Sequence, residues 1–217
     1  MKKYSAILFD FDYTLADSSQ GIVLCFRKVL NRHSYINITD DNIKRTIGKT
    51  LENSFSILTG INDPDMLAGL KKEYSNEAEI YMTVNTHLFP DTLTVLQKLK
   101  EQNMKIGIIS TKYRFRILDF FKQYFPENWF DIIVGGEDVT SHKPDPEGIN
   151  YALKNLHLIP EDVVYVGDSI VDAETALNAK VDFVGVTSGM TSENELMLFP
   201  HKKIINRLGE LTPILIP

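Results

Sequence analysis

The sequence has few of the features that mark a secreted, membrane-bound or nucleic-acid-binding protein. With a single cysteine, Cys25, it cannot form an internal disulfide, which is usual in a reducing compartment. No apolar run approaches the roughly 18 residues of a membrane-spanning helix. The run after Met1-Lys2-Lys3 is interrupted by Asp10 and lacks the small-residue cleavage site of a signal peptide. The formal net charge is −6, without a basic tract. We therefore expect a cytoplasmic protein with no membrane or nucleic-acid partner.

What the sequence does contain is enough apolar material for one large domain or for a domain with an insert. Of its 217 residues, 43% are hydrophobic. Short apolar runs bounded by turn residues predict strands at residues 4–9, 105–109, 131–134, 163–166, 183–186 and 203–205. Helical patterns separate most of these strands, which is typical of a parallel sheet with helices on both faces.

Residues 17–84 differ from the rest because all of their patterns are helical. Ser18 is a candidate cap for the first of these helices, as Asp145 is for a helix in the later part of the chain. The helical block interrupts a series of strands that otherwise belong to one sheet. We therefore predict an α/β protein with a doubly wound, Rossmann-like core of residues 1–16 and 85–217 and an inserted α-helical domain of residues 17–84.

Two acids follow the first predicted strand. Asp10 and Asp12 end the apolar run that begins at Ile7, one residue apart. A buried parallel strand delivers such residues to the carboxyl edge of its sheet, where open α/β folds bind their ligands. Because side chains alternate along a strand, the two carboxylates share a face if the strand geometry continues into the turn. Taken alone, the segment fits an acidic turn or a helix cap equally well.

Further polar residues follow other predicted strands, namely Ser110, Lys143, Asp168 and Asp172. Each has an ordinary explanation: Ser110 and Asp168 suit helix caps, and Asp172 suits the first turn of a helix, where an acid favours the dipole. Several carboxylates at one sheet edge would repel one another, however, unless a cation lay between them. Oxygen ligands of this kind favour Mg²⁺. Together, these residues predict a magnesium site.

Four segments, taken in order, resemble the four motifs of the haloacid dehalogenase-like superfamily. They are Asp10-Phe11-Asp12-Tyr13-Thr14-Leu15, Ser110-Thr111-Lys112, Lys143-Pro144 and Gly167-Asp168-Ser169-Ile170-Val171-Asp172. Their order and spacing are similar to those of the phosphatase branch with a helical cap inserted after the first motif. Within that branch the sequence resembles phosphoglycolate phosphatases and pyrophosphatase-type enzymes. The resemblance implies that residues 17–84 form the cap.

The resemblance also implies catalytic roles. Asp10 would attack phosphorus and form an aspartyl-phosphate, and Asp12 would act first as general acid and then as general base. Ser110 would donate a hydrogen bond to a phosphoryl oxygen, and Lys143 would hold Asp10 and the phosphoryl charge together. The founding dehalogenases lack the second acid, so Asp12 favours a phosphatase or a phosphotransferase.

The same resemblance implies the ligands of the metal. Mg²⁺ would be bound by Asp10, the backbone carbonyl of Asp12 and Asp168, while Asp172 would bind it directly or through water. The expected cofactor is therefore Mg²⁺, and the expected partner is a small phosphorylated metabolite.

Four further residues are candidates for contact with the substrate. Thr111 and Lys112 follow Ser110 directly, and Lys112 would add positive charge near an anionic substrate or simply begin a solvated helix. Lys49 lies in a turn of the helical block and is either a substrate contact or an ordinary exposed lysine. Tyr13 stands where the family most often has glycine, so its ring is expected near the mouth of the site or the cap.

The function expected from these observations is a Mg²⁺-dependent phosphatase of small phosphorylated metabolites. One alternative is a sugar-phosphate mutase, which shares the motifs but passes the phosphoryl group to a sugar. A signalling module like the receivers of response regulators also uses Asp, Mg²⁺, Ser or Thr, and Lys, but accepts phosphate on a later strand. The remaining alternative is a non-catalytic binding protein, against which the intact set of acids argues.

Overall fold

A computed structural model describes residues 4–215, so that Met1-Lys2-Lys3 and residues 216 and 217 lie outside the described part. Its strands are β1 (Ala6–Phe9), β2 (Ala16–Asp17), β3 (His87–Leu88), β4 (Lys105–Ile109), β5 (Ile132–Val134), β6 (Val163–Gly167), β7 (Asp182–Val186) and β8 (Lys203–Ile205). Within this range six strands form a parallel sheet in the order β5-β4-β1-β6-β7-β8, and β2 pairs with β3. The predicted α/β fold with a parallel sheet is confirmed.

The helices are α1 (Ser19–Arg32), α2 (Asp40–Lys44), α3 (Leu51–Thr59), α4 (Pro64–Tyr81), α5 (Thr92–Glu101), α6 (Arg114–Phe121), α7 (Glu147–Leu156), α8 (Ile170–Ala179), α9 (Glu193–Leu196) and α10 (Thr212–Leu215). Short 3₁₀ turns lie at Thr83–Asn85, Gly136–Asp138, Pro160–Asp162 and Leu208–Leu211. Over residues 4–215, no helix combines the length and the apolar character that crossing a membrane requires.

The sheet is covered on both faces because side chains alternate along each strand. Ile7 and Phe9 of β1 belong to one apolar cluster, which includes side chains of α5 and α6. Ala6 and Leu8 belong to a second cluster, which includes side chains of α7 and α8. All four residues are fully buried. Helices on both faces of a parallel sheet make the fold doubly wound.

The chain divides into two compact units, Met1–Ala16 with Leu88–Pro217, and Asp17–His87. The first unit contains the six-stranded sheet. The second contains α1 to α4, which pack around a cluster of aromatic rings. Phe26 lies at the centre of this cluster, with its ring centroid 4.7 Å from that of Phe55 and 4.8 Å from that of Tyr74. The single cysteine, Cys25, is buried in the same cluster.

Two predicted helix caps differ from the structure. Ser18 precedes α1, but its side chain makes no capping hydrogen bond. Instead the carboxylate of Asp17 accepts a hydrogen bond from the backbone N–H of Ser19 at 2.9 Å. Before α7 the capping position falls on Pro146, and Asp145 accepts from the N–H of Glu147 at 2.9 Å. In both places an aspartate one position earlier reaches the first N–H of the helix, so the predicted Ser18 cap was wrong and the Asp145 cap is shifted by one residue.

Candidate active site

The candidate site lies where the strand order of the sheet reverses. The chain passes from β1 outward to β4 and β5 on one side, then returns to β6, β7 and β8 on the other. Asp10, Ser110 and Asp168 follow the central strands β1, β4 and β6 directly. Since these strands are parallel, the three residues come to the same carboxyl edge, where ligands of doubly wound folds bind. All three side chains are buried.

Asp10 is held at this edge by an ion pair with Lys143. The Nζ atom of Lys143 lies 2.8 Å from Oδ1 of Asp10, and both side chains are at most 4% exposed. The same Nζ lies 2.7 Å from Oδ1 of Asp172. Burial disfavours the ammonium, but the two carboxylates outweigh that effect and raise the pKa of Lys143 well above its usual range. One lysine therefore joins two acids that are 162 positions apart in sequence.

Tyr165, a residue that the sequence did not single out, completes this network. Its hydroxyl accepts from Nζ of Lys143 at 3.2 Å and lies 2.9 Å from Oδ1 of Asp172 and 3.1 Å from the carbonyl of Ile109. Burial, reinforced by the Asp172 carboxylate, raises the pKa of Tyr165 well above its usual range, so its hydroxyl keeps the proton. The only hint in the sequence is that a tyrosine interrupts the aliphatic residues of β6.

Asp172 is fixed by the start of α8 as well as by Lys143. Ser169 and Asp172 form a capping box: the serine hydroxyl and backbone N–H donate to Oδ2 of Asp172 at 2.6 and 3.1 Å. A β-carbon at Gly167 would collide with the Asp172 side chain, so the glycine makes room for it. A carboxylate has about four acceptor positions, and donors engage both oxygens of Asp172. This acid is therefore a firmly held part of the framework.

Asp168 lies at the end of β6 with fewer hydrogen bonds. Thr14 donates to its Oδ1 at 3.3 Å. The other oxygen lies against Gly189, where a β-carbon would collide with it. Burial, and after it the negative charges of Asp172 and Asp10, raises the pKa of Asp168 well above its usual range. The surroundings of Asp168 therefore disfavour its ionised form.

The chemistry of these acids fits a divalent cation. Ligand oxygens of Asp10, Asp168 and Asp172 lie within 4.8 Å of one another, and all three residues are buried. Burial, helped by the carboxylates of Asp172 and Asp12, outweighs the opposing charge of Lys143 and raises the pKa of Asp10 to about 7. Three buried acids with one lysine leave an excess of negative charge that a hard cation with oxygen ligands would neutralise.

Asp12 forms its own ion pair on the neighbouring loop. Nζ of Lys112 lies 2.8 Å from Oδ1 of Asp12, and the two side chains are 8% and 9% exposed. The same ammonium lies 5.5 Å from the ring centroid of Phe11. Lys112 was predicted as a substrate contact, and the structure shows that it contacts the second acid. The role of Lys112 toward the substrate itself remains a prediction.

The turn that carries Asp12 has a left-handed residue at Tyr13, where φ is 62°. The N–H of Tyr13 donates to the carbonyl of Ala16 at 2.8 Å, and the hydroxyl of Ser188 donates to the Tyr13 carbonyl. Left-handed backbone costs an L-residue about 1–2 kcal/mol, whereas glycine adopts it freely. The geometry of this position therefore favours glycine, and Tyr13 adopts it at a cost in backbone free energy.

Ser110 and Thr111 form the loop after β4. The N–H of Ser110 donates to the carbonyl of Val134 at 3.0 Å, which continues the ladder between β4 and β5. Its hydroxyl accepts from the N–H of Lys112 at 3.3 Å. Ser110 is 6% exposed, whereas Thr111 is half-buried. The loop is thus tied down at Ser110, the residue predicted to bind a phosphoryl oxygen.

Lys49 belongs to the unit Asp17–His87 and is half-buried. It follows the turn after α2 and lines a cavity of about 240 Å³ together with Arg45, Asn42 and Leu58. Its contact with a substrate stays a prediction.

A cavity of about 590 Å³ lies elsewhere in the first unit. Phe125, Trp129 and Tyr151 are among its lining residues, next to the edge strand β5. None of the acids described above lines it. This cavity is therefore separate from the acid cluster, and the chemistry of the side chains identifies the candidate site.

Comparisons with known proteins agree with this geometry. The family of haloacid dehalogenase-like hydrolases matches residues 7–186. The chain is 29% identical over 217 residues to pyrophosphatase PpaX of Bacillus mycoides, covering 98% of this chain and 97% of that one. It is 29% identical over 204 residues to a phosphoglycolate phosphatase of Rhodobacter capsulatus, covering 90% of each.

The fold has counterparts among solved structures. A crystal structure from Bacteroides fragilis, named as a haloacid dehalogenase-like hydrolase, shares 64% of its sequence and superimposes with a TM-score of 0.95. The match covers 96% of this chain and 100% of that one. The matched family spans β1 to β7 and so includes Asp10, Ser110, Lys143 and Asp168. The chain therefore belongs to the haloacid dehalogenase-like hydrolases.

Proposed function

We propose that this chain is a Mg²⁺-dependent phosphatase that hydrolyses a small phosphorylated metabolite through an aspartyl-phosphate on Asp10. One observation carries the proposal. Lys143 holds Oδ1 of Asp10 at 2.8 Å, and one carboxylate oxygen from each of Asp10, Asp168 and Asp172 lies within 4.8 Å of the other two. A nucleophile and a cation site thus share one residue, which suits phosphoryl transfer because that reaction depends on positioning and charge neutralisation.

In the first step an oxygen of Asp10 attacks phosphorus, and the bond between phosphorus and the leaving oxygen breaks. Because Oδ1 of Asp10 accepts a hydrogen bond from Lys143, we assign the attack to Oδ2. Asp12, in its acid form, gives its proton to the leaving oxygen, and the products are an aspartyl-phosphate and an alcohol.

In the second step the Asp12 carboxylate removes a proton from water, and the resulting oxygen attacks the phosphorus of the aspartyl-phosphate. The bond between phosphorus and the Asp10 oxygen breaks, which releases inorganic phosphate and restores the Asp10 carboxylate. Lys112, 2.8 Å from Oδ1 of Asp12, holds this carboxylate in place between the two steps. Ser110 donates its hydroxyl proton to a phosphoryl oxygen.

The residues that would hold Mg²⁺ are Asp10, Asp168 and the backbone carbonyl of Asp12, with Asp172 binding through water. When bound, the ion supplies positive charge against the phosphoryl oxygens. An indirect role for Asp172 follows from its hydrogen bonds, since Lys143, Tyr165 and the cap of α8 already engage its oxygens.

The proposed substrate class follows from the relatives and from the charges of the site. Pyrophosphate and phosphoglycolate, which give two relatives their names, are small and carry a second anionic group beside the phosphoryl group. Lys112 offers a buried positive charge beside Asp12 that is suited to such a group. We propose that the helical unit acts as the cap that the family resemblance implies and that Lys49 contributes to substrate selection.

The test is a screen of about a hundred phosphate esters for release of inorganic phosphate, with Mg²⁺ and with excess chelator. Asp10→Asn should remove turnover by at least about a thousandfold, because an amide is a poor nucleophile and a weaker ligand. Asp65→Asn is the matched control, since Asp65 is an exposed acid in the first turn of α4.

Three results would contradict the proposal. Turnover that persists in chelator would exclude the metal, and an Asp10→Asn variant within tenfold of the parent would exclude the nucleophile. An isomeric sugar phosphate in place of free phosphate would identify a mutase.

A further inference from the structure

We propose that Tyr165 is a positioning residue of this site, whose hydroxyl fixes Lys143 and Asp172 relative to the nucleophile Asp10. The kinetic consequences of this proposal rest on the proposed function. The position of Lys143 relative to Asp10 does not, because it can be measured without a substrate.

The hydroxyl of Tyr165 is the one polar side-chain group of its strand. The other residues of β6 are three valines and the glycine that ends it, and all five residues are buried. Tyr165 is fully buried on the face of the sheet that α7 and α8 cover. A phenylalanine would fill the same space with no polar group to satisfy. An unpaired buried hydroxyl costs about 1–3 kcal/mol by mutational data, so a hydroxyl here needs partners.

Its partners are the charged groups of the site. The oxygen accepts from Nζ of Lys143 at 3.2 Å, and the hydroxyl has two acceptors within donating distance, Oδ1 of Asp172 at 2.9 Å and the carbonyl of Ile109 at 3.1 Å. Ile109 is the last residue of β4, directly before Ser110. The hydroxyl therefore links the ends of β4 and β6 to Lys143 and the start of α8.

Lys143 needs this oxygen to complete its own hydrogen bonds. A lysine ammonium has three N–H donors. Within the described residues its three acceptors are Oδ1 of Asp10, Oδ1 of Asp172 and the hydroxyl of Tyr165, at 2.8, 2.7 and 3.2 Å. Three acceptors in fixed positions determine the direction of each N–H. With two acceptors the buried ammonium can swing about the remaining bonds, and its position against Asp10 is no longer fixed.

Lys143 lies at the hydroxyl end of the Tyr165 ring. Nζ is 3.2 Å from the hydroxyl oxygen and 5.9 Å from the ring centroid, so the ammonium lies close to the line of the C–O bond and not over the face of the ring, where a cation is attracted. Tyr165→Phe keeps the ring and nearly the volume of the side chain, so the substitution isolates the hydroxyl. Tyr165 acts through Lys143 and Asp172, and the structure shows no contact between its hydroxyl and Asp10.

Tyr4→Phe provides a matched control. Tyr4 is also buried, at 6% exposure, and its hydroxyl donates to Oδ2 of Asp182 at 2.8 Å. Tyr4 precedes β1 and Asp182 begins β7, so this pair lies at the amino edge of the sheet, opposite the site. Both substitutions remove a buried hydroxyl bonded to an aspartate. Only Tyr165→Phe is expected to change the chemistry.

The experiment compares the parent, Tyr165→Phe and Tyr4→Phe by melting temperature, by kcat and KM with Mg²⁺, and by affinity for beryllofluoride, a phosphoryl mimic that binds carboxylates. We expect Tyr165→Phe to lower kcat about tenfold to a hundredfold, as a small misplacement of reacting groups does. KM should stay within about threefold, because the hydroxyl does not contact substrate. Beryllofluoride affinity should fall together with kcat. Tyr4→Phe should lower the melting temperature without these changes.

A double variant separates positioning from general stability. In the Asp172→Asn background Tyr165→Phe should lower kcat by much less than it does in the parent, because both changes disturb the same lysine. Independent, multiplicative losses would overturn the proposal. So would a Tyr165→Phe enzyme with parental kcat and beryllofluoride affinity, or one whose loss of activity disappears at lower temperature as folding recovers.

A crystal structure of Tyr165→Phe distinguishes this proposal from the proposed function. We expect Nζ of Lys143 to move out of hydrogen-bond distance from Oδ1 of Asp10. An unchanged contact at 2.8 Å would contradict the positioning role. The distance from Lys143 to Asp10 in the variant can be measured without a substrate. If the parent hydrolyses no phosphate ester, the proposed function fails, while the position of Lys143 in the variant still decides the role of Tyr165.

Discussion

Lys112 and Asp12 form an ion pair in which each side chain is more than nine-tenths buried, with Nζ 2.8 Å from Oδ1. The pair lies on adjoining loops, Asp12 after β1 and Lys112 after β4, and these strands are neighbours in the sheet. Its burial distinguishes it from the ion pairs on the surface. The pair places the positive charge of Lys112 beside Asp12, the acid on which both proposed steps depend.

Lys112→Gln should destabilise the protein and lower its turnover of alkyl phosphates. Removing one partner of a buried ion pair leaves an uncompensated charge and costs about 3–5 kcal/mol, whereas an exposed pair is worth up to about 1 kcal/mol. We expect a loss of about 3 kcal/mol in the free energy of unfolding, measured by urea denaturation. Turnover of alkyl phosphates should fall about tenfold because Asp12 is less firmly held.

The control is Lys100→Gln. Lys100 pairs with Asp131 at 2.6 Å, but both side chains are 30% exposed. This variant should lose less than about 1 kcal/mol. Equal losses for the two variants would show that burial of the Lys112 pair has no energetic consequence.

The stability of the metal-free protein should depend on pH through Asp10. Burial raises the pKa of Asp10 to about 7, whereas an unfolded aspartate has a pKa of about 3.9. Between these values the folded protein holds a proton that the unfolded chain has released. The free energy of unfolding therefore falls as pH rises from about 4 to about 7, by up to about 1.4 kcal/mol per pH unit for one proton.

Urea denaturation at several pH values between 5 and 8, in excess chelator, measures this slope. Asp10→Asn should be more stable than the parent above pH 7 and should show a smaller slope, although Asp168 contributes in the same direction. Added Mg²⁺ should stabilise the parent more at pH 8 than at pH 5, because the ion binds the deprotonated acids. Parental stability that increases steadily over this range in chelator would contradict the prediction.

Much of the fold could be predicted because apolar runs and their boundaries are local properties of the chain. The strands predicted at residues 105–109 and 203–205 are β4 (Lys105–Ile109) and β8 (Lys203–Ile205), without any shift. The acids of the candidate site could be located for the same reason, since they follow strands directly. Their roles rest on the family resemblance and on the experiments proposed above.

Other features depend on contacts between distant segments and were not predicted. The order of the strands is set by how the crossovers pack, which no single segment determines. The apolar run of β6 could predict that Tyr165 is buried, but not that its hydroxyl contacts Lys143, 22 positions away. Ser18 has the right residue type for a cap, yet its side chain makes no capping hydrogen bond, and the carboxylate of Asp17 accepts from the first N–H of the helix instead.

Tyr13 offers a test of backbone strain at the site. Its φ of 62° lies in the left-handed region, and its side chain is 7% exposed. Tyr13→Gly and Tyr13→Ala both remove the ring, but only glycine relieves the backbone. Tyr13→Gly should therefore be more stable than Tyr13→Ala by about 1 kcal/mol in urea denaturation.

The control is a position inside a helix, where glycine is expected to be less stable than alanine. Ala68 is exposed in α4, where Ala68→Gly should cost about 1 kcal/mol. If alanine is more stable than glycine at position 13 as well, the left-handed conformation there carries no strain.

Asp12→Asn tests the residue that separates a phosphatase from a dehalogenase. The amide keeps the shape of the side chain but can neither give a proton to the leaving oxygen nor take one from water. General acid–base catalysis contributes about 10²–10⁴-fold, so turnover of alkyl phosphates should fall by that factor. Phosphorylation of Asp10 by nitrophenyl phosphate should be less affected, because nitrophenolate leaves without protonation. Hydrolysis of the aspartyl-phosphate, which needs the base, should then become the slow step.

Rapid-quench measurements with nitrophenyl phosphate should therefore show a burst of nitrophenolate and an accumulated, hydroxylamine-sensitive phosphoenzyme in Asp12→Asn. Asp182→Asn is the control, since Asp182 also contacts a lysine, with Nζ of Lys202 at 3.2 Å, but lies at the opposite edge of the sheet. It should show neither effect. If Asp12→Asn hydrolyses alkyl phosphates at near-parental rates, its carboxylate is only a partner for Lys112 and another group must move the protons. A fall in both alkyl and aryl turnover without phosphoenzyme would instead place Asp12 in the alignment of Asp10, because the first step would then fail before any leaving group departs.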